Sequence, residues 1–286
     1  MNLTNNILSV EVAAYGAELV SLRKGDREYM WCGDPMFWNR HAPILFPTVG
    51  KPYNNELHID GKVYGMKQHG FARDSEFCQI GDGCLRMIDV DRTEIYPYCF
   101  ELTARYGLAG NALEITWTVV NRDSREMHFQ IGAHPGFMLP DYNPTDAIHG
   151  YIHYYDKQGQ PISPVIISAL DDGNRIPLKE PVHIPAVMPL ADDTFAHDAL
   201  IFEDGQVATA ELCDKHGKTV LSVSCGQAEA FGIWAPHNPS CPFVCLEPWC
   251  GICDEKGYVG DIAGRTYSHR LAPNEQYTFT YKISIP

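Results

Sequence analysis

Apolar and polar residues alternate with a period of two along most of this chain, the pattern of half-buried β-strands. Every second residue is apolar from Phe100 to Tyr106, and again from Leu113 to Val119. The turn-forming segment Gly107–Asn111 lies between them, so the pair predicts a β-hairpin with one apolar face. Tyr277–Ile285 alternates in the same way and predicts a long strand near the end of the sequence.

Short extended segments that flank turn residues recur elsewhere. Three such pairs are Leu57–Ile59 with Lys62–Tyr64, Phe77–Ile80 with Cys84–Val90, and Val207–Leu212 with Thr219–Val223. No amphipathic helix of 12 residues or more can be found, and Ala191–Ala199 is expected to hold only a short helical turn. Evenly spread glycine and proline leave little room for helices, so we expect an all-β chain folded as a large antiparallel sandwich or barrel. No composition shift divides the chain, which predicts a single domain over residues 1–286.

Charge and composition exclude several classes of partner. The formal net charge is −14 and no block of lysine or arginine occurs, so we expect neither nucleic-acid nor membrane binding. No apolar window approaches the length of a membrane span, and Met1–Glu11 lacks the features of a secretory signal. Ten cysteines in such a chain predict reduced thiols and a cytoplasmic protein.

Four stretches interrupt the alternation, and functional residues often lie on such segments. They hold Arg40 in Phe37–Gly50, His69 and Arg73 in Gln68–Asp74, His134 in Gly132–Phe137, and Asp198 in Ala196–Asp204. Arg40 either pairs with a carboxylate or projects planar donors into a polar pocket. Each histidine is either a structural residue or a proton donor and acceptor near neutral pH. Asp198 either caps the start of a strand or joins a site.

A fifth stretch, Pro242–Asp254, places Glu247 at the end of an apolar run. Burying a carboxylate there is costly unless it is hydrogen-bonded or has a chemical role. Together with two histidines and an arginine on loops, Glu247 offers proton transfer and polar substrate positioning.

Cys250 and Cys253 in the same stretch have the spacing of a dithiol redox site. Such chemistry needs a thiol of low pKa, whereas the acids at 254 and 255 would raise it. Cys241 and Cys245 could be added to make a zinc set, but the spacing is not that of paired C-x-x-C motifs. A chemical role for Glu247 is therefore favoured over both a redox dithiol and a zinc site.

An ordered set of motifs resembles the aldose 1-epimerase (galactose mutarotase) family, and its LacX-like subgroup in particular. The set comprises R-H-A-P-I-L-F-P from residue 40, then Q-H-G-F-A-R, G-A-H-P-G-F, D-A-L-I-F and C-L-E-P-W. The resemblance covers nearly the whole chain. It implies a large β-supersandwich of mostly antiparallel strands, which agrees with the period of two.

The resemblance also implies cofactor-free, metal-free interconversion of the α and β anomers of a small sugar. Glu247 would be the general base for the C1 hydroxyl, and His134 the general acid for the ring oxygen. His69 and Arg40 would hold the sugar near its ring oxygen, and Asp198 would bind further hydroxyls. Because Glu247 must be ionised to begin, we expect neighbouring donors to offset the effect of burial on its pKa.

Alternatives within the same fold are a mutarotase for a phosphorylated hexose and a non-catalytic carbohydrate-binding or regulatory protein. In the first, Arg73 and Lys51 would contact the phosphate. Gly136 stands where relatives often carry an aromatic residue, and it is expected to open the pocket. Six aromatic side chains are expected as an apolar floor: Phe37, Trp38, Phe71, Phe137, Trp234 and Trp249. The protein is expected to be a monomer or homodimer.

Overall fold

β-Strands make up nearly all of the regular structure in the computed structural model, which describes residues 1–88, 93–238 and 240–286. The first half of the chain contains β1 (Asn2–Thr4), β2 (Leu8–Val12), β3 (Leu19–Lys24), β4 (Arg27–Glu28), β5 (Ile44–Leu45), β6 (Glu56–Ile59), β7 (Lys62–Gly65), β8 (Phe77–Gly81), β9 (Cys84–Met87), β10 (Phe100–Ala109), β11 (Ala112–Asn121), β12 (Met127–Phe129), β13 (Ile131–Ala133) and β14 (Gly136–Met138).

The second half contains β15 (Gly150–Tyr155), β16 (Val165–Asp171), β17 (Asn174–His183), β18 (Val187–Leu190), β19 (Leu200–Phe202), β20 (Thr209–Cys213), β21 (Thr219–Ser224), β22 (Ala230–Trp234), β23 (Phe243–Cys250), β24 (His269–Leu271) and β25 (Gln276–Ser284). Short 3₁₀ helices occupy Tyr53–Asn55, Ala72–Asp74 and Ile262–Gly264. No helix in the described part of the chain has the length and apolar character needed to cross a bilayer.

The predicted hairpins are present, with small differences at their ends. β10 pairs with β11 from Phe100 opposite Asn121 to Ala109 opposite Ala112. The turn is therefore shorter than predicted, because the ladder continues through Gly107. The strand predicted over Cys84–Val90 ends at Met87, and residues 89 and 90 lie outside the described residues. Ala191–Ala199 forms consecutive hydrogen-bonded turns.

Two large antiparallel sheets form the body of the protein, as the all-β prediction requires. One has nine strands in the order β18-β15-β20-β21-β25-β11-β10-β9-β8. The other has six strands, in the order β19-β22-β23-β13-β5 with β14 also paired to β23. The alternating apolar residues of β11 and β25 share one hydrophobic core with β5, β13 and β22.

β23 differs from the other strands because all of its residues are buried. β22 lies on one side of it and β13 and β14 on the other. Most of its residues pack into the main core, whereas Trp249 belongs to a smaller cluster with Leu45, Val49 and Ile201. The hairpin β16–β17 is not part of either large sheet. It packs beside β19 and forms a wall next to that smaller cluster.

Candidate active site

Glu247 lies in the middle of β23, directly opposite Gly232 of β22. Its side chain is 1% exposed. The small size of Gly232 is required locally, because a Cβ there would come within 2.9 Å of the Trp249 indole and 3.4 Å of the Glu247 side chain. The sheet therefore holds the Glu247 carboxylate rigidly, and Gly232 leaves space beside it. Among the described residues, no group makes a hydrogen bond to Glu247 Oε2.

His134 lies in the connection between β13 and β14 and places Nε2 3.2 Å from Glu247 Oε2. The contact does not have the geometry of a hydrogen bond. Trp38 stacks on the imidazole at 4.8 Å, and Trp234 and His69 each meet it edge-on at 5.5 Å. The pocket is not opened at Gly136, because a Cβ there would already lie 3.2 Å from Trp38. The indole takes up the expected space.

His69 begins a tight turn, and both it and Gly70 have positive φ values of 65° and 69°. Gly70 allows this turn because a Cβ at that position would lie 2.1 Å from the carbonyl oxygen of Phe46. The Gly50 N–H donates to His69 Nδ1 at 3.0 Å. This bond leaves the proton of the neutral imidazole on Nε2, where it can be donated.

Of the two arginines expected to contact the substrate, Arg73 lines the cavity and Arg40 does not. Arg73 lines the cavity from the 3₁₀ helix Ala72–Asp74 and donates to the Gln68 carbonyl at 2.7 Å, while its buried Nε has no partner among the described residues. Arg40 is not among the lining residues and instead bonds Asp74 at 2.7 Å. The carboxylate-pairing interpretation of Arg40 therefore describes the protein better than the pocket-facing one.

Asp198 lies at the exposed edge of the cavity, two residues before β19. It has a φ of 75°, and its own carboxylate accepts the Ala199 N–H at 2.8 Å. It therefore both caps the segment that leads into β19 and lines the cavity, which combines the two alternatives drawn from the sequence.

These side chains meet in one cavity of about 370 Å³. Of the six aromatic residues expected as a floor, Trp38, Trp234 and Trp249 line it. Other residues of the wall were not expected from the sequence, namely Gly50, Leu170, Gly173, Ala199 and Ile201, and Cys253 lines the cavity although it was considered only as a redox or zinc-binding thiol. Leu170 and Gly173 come from the tip of the β16–β17 hairpin. The turn-forming residues 171–174 after an apolar run were the signal for that hairpin.

Burial dominates the electrostatics of the catalytic candidates. It raises the pKa of Glu247 well above the ordinary carboxyl value, and the negative charge of Asp198 adds to the effect. A side-chain hydrogen bond from Trp249 lowers this pKa less than burial raises it, so the expectation that neighbouring donors would offset burial is wrong. Burial, with the charges of Arg73 and Arg40, lowers the pKa of His134 to about 3.

His69 and Arg73 respond to the same environment. Burial, followed by the charges of Arg73, His134 and Arg40, lowers the pKa of His69 well below the ordinary imidazole value. His69 is therefore a neutral donor. Burial, with the charge of Arg40, lowers the pKa of Arg73 to about 10, so its guanidinium stays charged near neutral pH.

The fold, this cavity and the order of its residues all agree with one family. A model of the aldose 1-epimerase family matches residues 1–284. The chain belongs to the aldose 1-epimerase family. The resemblance drawn from the sequence motifs is thereby confirmed.

Similar proteins extend over the whole chain. The chromosomal LacX protein of Lactococcus lactis subsp. lactis is 27% identical, covering 100% of this chain and 99% of that protein. A galactose mutarotase related enzyme from Lactobacillus acidophilus has a TM-score of 0.89 at 30% identity, covering 100% of this chain and 97% of the other. A galactose mutarotase-like protein from Lactobacillus casei has a TM-score of 0.86 at 27% identity, covering 100% and 99%. These likenesses agree with the LacX-like subgroup.

The cysteines of this aldose 1-epimerase family member do not form the alternative sites. Burial raises the pKa of both Cys250 and Cys253 to about 12, the opposite of what a redox dithiol requires. Within residues 1–88, 93–238 and 240–286, each group of potential metal ligands with atoms within 4.8 Å of one another contains at most one of Cys241, Cys245, Cys250 and Cys253. The proposed zinc set does not come together.

Proposed function

We propose that this protein is an aldose 1-epimerase that interconverts the α and β anomers of a free hexose. The distance of 3.2 Å between His134 Nε2 and Glu247 Oε2 carries the proposal. Ring opening needs a proton removed from the C1 hydroxyl and a proton delivered to the ring oxygen. These two oxygens are bonded to the same carbon, so one acid and one base must lie close together. The pair in the cavity has this spacing.

In the forward direction, Glu247 takes the proton from the C1 hydroxyl while His134 protonates the ring oxygen. The bond between C1 and the ring oxygen breaks, and C1 becomes the carbonyl carbon of the open-chain aldehyde. Rotation about the C1–C2 bond presents the other face of that carbonyl. The two residues then exchange roles, the ring closes, and both return to their starting protonation states.

The pKa shifts indicate where the shared proton resides. Burial favours the uncharged form of both groups. Before a sugar binds, the shared proton therefore resides on Glu247, and His134 is neutral. A sugar hydroxyl that donates to Glu247 Oε2 supplies the partner that this atom lacks. Such a bond stabilises the ionised carboxylate and prepares the pair for catalysis.

The remaining cavity residues suit the rest of the sugar. His69 presents Nε2–H as a neutral donor and Arg73 presents a charged one, while Asp198 can accept from hydroxyls at the cavity edge. The indoles offer flat apolar surfaces for the C–H face of a pyranose ring. A small number of placed polar groups among apolar walls is typical of small-molecule sites.

A phosphorylated hexose is a second candidate, and Arg73 favours it. This guanidinium lines the cavity and forms no ion pair among the described residues. Lys51, the other cation considered for a phosphate, is bound to Asp172 at 2.6 Å. One unpaired cation supports this candidate less strongly than the catalytic pair supports a free hexose.

The test is to follow anomer interconversion by NMR in freshly dissolved glucose, galactose and glucose 6-phosphate. We expect acceleration over buffer for at least one free sugar, and loss of that acceleration in Glu247→Gln. A rate increase with glucose 6-phosphate alone would favour the second candidate. No acceleration with any sugar, together with measurable sugar binding, would make the protein a carbohydrate-binding module.

A further inference from the structure

The nine-stranded sheet carries an imidazole, a carboxylate and a thiol side by side on neighbouring strands. His153 of β15 lies directly opposite Glu211 of β20, and Cys213 follows two residues further along β20. Residues two apart on a strand point to the same face of a sheet. The intervening Ile152 and Leu212 belong to the hydrophobic core, so the other three side chains lie on the face turned away from that core.

The spacing of the three side chains is that of metal ligands. Glu211 Oε1 lies 3.6 Å from Cys213 Sγ and 3.9 Å from His153 Nδ1, and the three ligand atoms are all within 4.8 Å of one another. In a tetrahedral zinc site with bonds of about 2.0–2.3 Å, neighbouring ligand atoms are about 3.3–3.8 Å apart. A zinc ion therefore fits between these atoms after small side-chain movements.

The local strand geometry supports the same three residues. The register between β20 and β21 shifts between Leu212 and Cys213, and such a bulge can redirect a side chain. Thr219, which is opposite Cys213 on β21, donates its hydroxyl to Glu211 Oε1 at 3.0 Å. Hydrogen bonds of this kind orient the ligands of metal sites. Glu211 is thus held in place by a residue that would not itself touch the metal.

A metal ion could reach these side chains from solvent. His153 lines a surface depression of about 280 Å³ together with Tyr151, Val187, Lys215, His216 and Gly217. The His153 and Glu211 side chains are 25% and 22% exposed, whereas Cys213 is buried. The Lys215 ammonium is paired with Asp146 at 2.7 Å, which reduces its repulsion of a cation.

The Cys213 thiol keeps its proton until a metal replaces it. Burial, followed by the negative charge of Glu211, raises the pKa of this thiol to about 11. The protein therefore buries no thiolate in the absence of a metal. Zinc would bind the deprotonated sulfur, and the displaced proton would pass to solvent.

Two other groups of potential ligands occur in the described part of the chain: His134, Cys245 and Glu247 in the catalytic cavity, and Glu229, Cys250 and His269 elsewhere. The Arg73 guanidinium lines the same cavity as the first group and repels a cation. In the second group, the Cys250 thiol already donates to the Gln227 carbonyl at 3.2 Å. The Cys213 thiol instead donates to Glu211, its fellow ligand.

We infer that His153, Glu211 and Cys213 form a zinc site on the outer face of the nine-stranded sheet, with a water in the fourth position. A thiolate, an imidazole and a carboxylate together favour zinc over magnesium or calcium, which prefer oxygen ligands. The ion would join β15 to β20. It takes no part in the proposed ring opening, so this inference can be tested whether or not the protein acts on a sugar.

The experiment titrates the chelator-treated full-length protein with Co²⁺, which reports thiolate ligation by a charge-transfer band in the near ultraviolet. We expect this band in the wild type at one equivalent of Co²⁺, and its loss when one equivalent of Zn²⁺ is added. Cys213→Ser should abolish the band. Cys250→Ser, which removes a buried thiol from another group, should retain it with wild-type affinity.

Two further variants test the other ligand and its support. His153→Asn should weaken Co²⁺ binding by roughly 100-fold or more, since it removes a ligand, and Thr219→Val should weaken it by about 10- to 100-fold. His153 is partly exposed, so His153→Asn keeps the test decisive if Cys213→Ser does not fold. The inference is overturned if the wild type shows no thiolate band, or if the band persists in Cys213→Ser. Loss of the band in Cys250→Ser, or unchanged affinity in His153→Asn, would also overturn it.

Discussion

Two buried glutamates, Glu203 and Glu247, lie near the same wall of the protein, but their hydrogen-bonding environments are very different. Glu203 is 3% exposed, and it accepts hydrogen bonds from Arg175 Nη1 at 2.6 Å and from Ser168 Oγ at 2.5 Å. Glu247 is 1% exposed, and its Oε2 receives no hydrogen bond among the described residues. The Nε2 atom of His134 lies 3.2 Å from that oxygen.

This difference in hydrogen bonding indicates a structural role for Glu203 and a role in chemistry for Glu247. Arg175 bonds Glu203, the Cys253 carbonyl and Thr266, so this pair connects β17 to the chain that follows β23. Buried polar atoms are almost always hydrogen-bonded, and the unbonded Oε2 of Glu247 belongs to a residue that lines the cavity, where a ligand can reach it. Glu247 thus carries a free-energy cost that a substrate hydroxyl can remove, whereas Glu203 carries none of that kind.

The largest expected effect is on catalysis at Glu247. Glu247→Gln keeps the shape of the side chain but removes the base, so kcat should fall by about 10²–10⁴-fold. Polarimetry of freshly dissolved galactose or glucose measures this loss. Glu203→Gln serves as the matched variant, and its kcat should stay within a few-fold at a temperature where it is folded. Equal losses in both variants would remove the distinction between the two glutamates.

The second effect is on stability at Glu203. Glu203→Gln leaves the Arg175 charge buried without its counter-ion, which should lower the free energy of unfolding by roughly 3–5 kcal/mol. Urea denaturation measures the change. Glu114→Gln, on an exposed position of β11, should alter stability by about 0.5 kcal/mol or less. If Glu203→Gln behaves like Glu114→Gln, the ion pair contributes little to the fold.

A third prediction concerns how the difference in stability between the wild type and Glu247→Gln depends on pH. Because the folded-state pKa of Glu247 is raised, the folded protein binds a proton more tightly than the unfolded chain does. Wild-type stability is therefore lost as pH rises from the ordinary carboxyl value toward the raised one. Glu247→Gln lacks this loss, so its Tm should exceed that of the wild type above pH 5, by roughly 2–4 °C for each kcal/mol gained.

Thermal melts between pH 4 and pH 8 test this difference. The Tm gap should be small at the acidic end and should widen as pH rises. A gap that is constant with pH, or that widens toward acid, would mean that Glu247 is not held uncharged by burial. The pH–rate profile should agree, with an acidic limb above the range of an ordinary carboxyl group.

The smallest expected effect is at the thiols. Cys250 is buried and donates to the Gln227 carbonyl at 3.2 Å, on a strand that also carries Glu247. Cys250→Ser should leave kcat within about twofold, since its thiol has no part in proton transfer. Cys99→Ser, at an exposed position, controls for the substitution itself. A large loss confined to Cys250→Ser, with Glu247 intact, would favour a dithiol mechanism.

Much of the fold could be predicted because alternation reports directly which face of a strand is buried. The long hairpin β10–β11 and the strand β25 follow from that pattern with errors of a few residues. β16 and β17 were not predicted as strands. They form a separate two-stranded sheet, and most of the residues of β17 are exposed on both faces.

The site was predictable where a residue type was tied to a motif, as for Glu247 and His134. The position of Arg40 was not predictable, whereas Arg73 lines the cavity as expected. Asp74 lies 34 positions from Arg40 and next to Arg73, yet its carboxylate bonds Arg40. The raised pKa of Glu247 was also missed, because it depends on which donors reach the carboxylate in three dimensions.

The tryptophans around the cavity give this protein an optical signal of its own. Three of the five tryptophans of the chain, Trp38, Trp234 and Trp249, line the cavity, whereas Trp31 and Trp117 lie in the core. Intrinsic fluorescence should therefore report occupancy of the cavity without any added label. Sugar affinity could then be titrated in an inactive variant, separately from turnover, by exciting the very indoles against which the ring would lie.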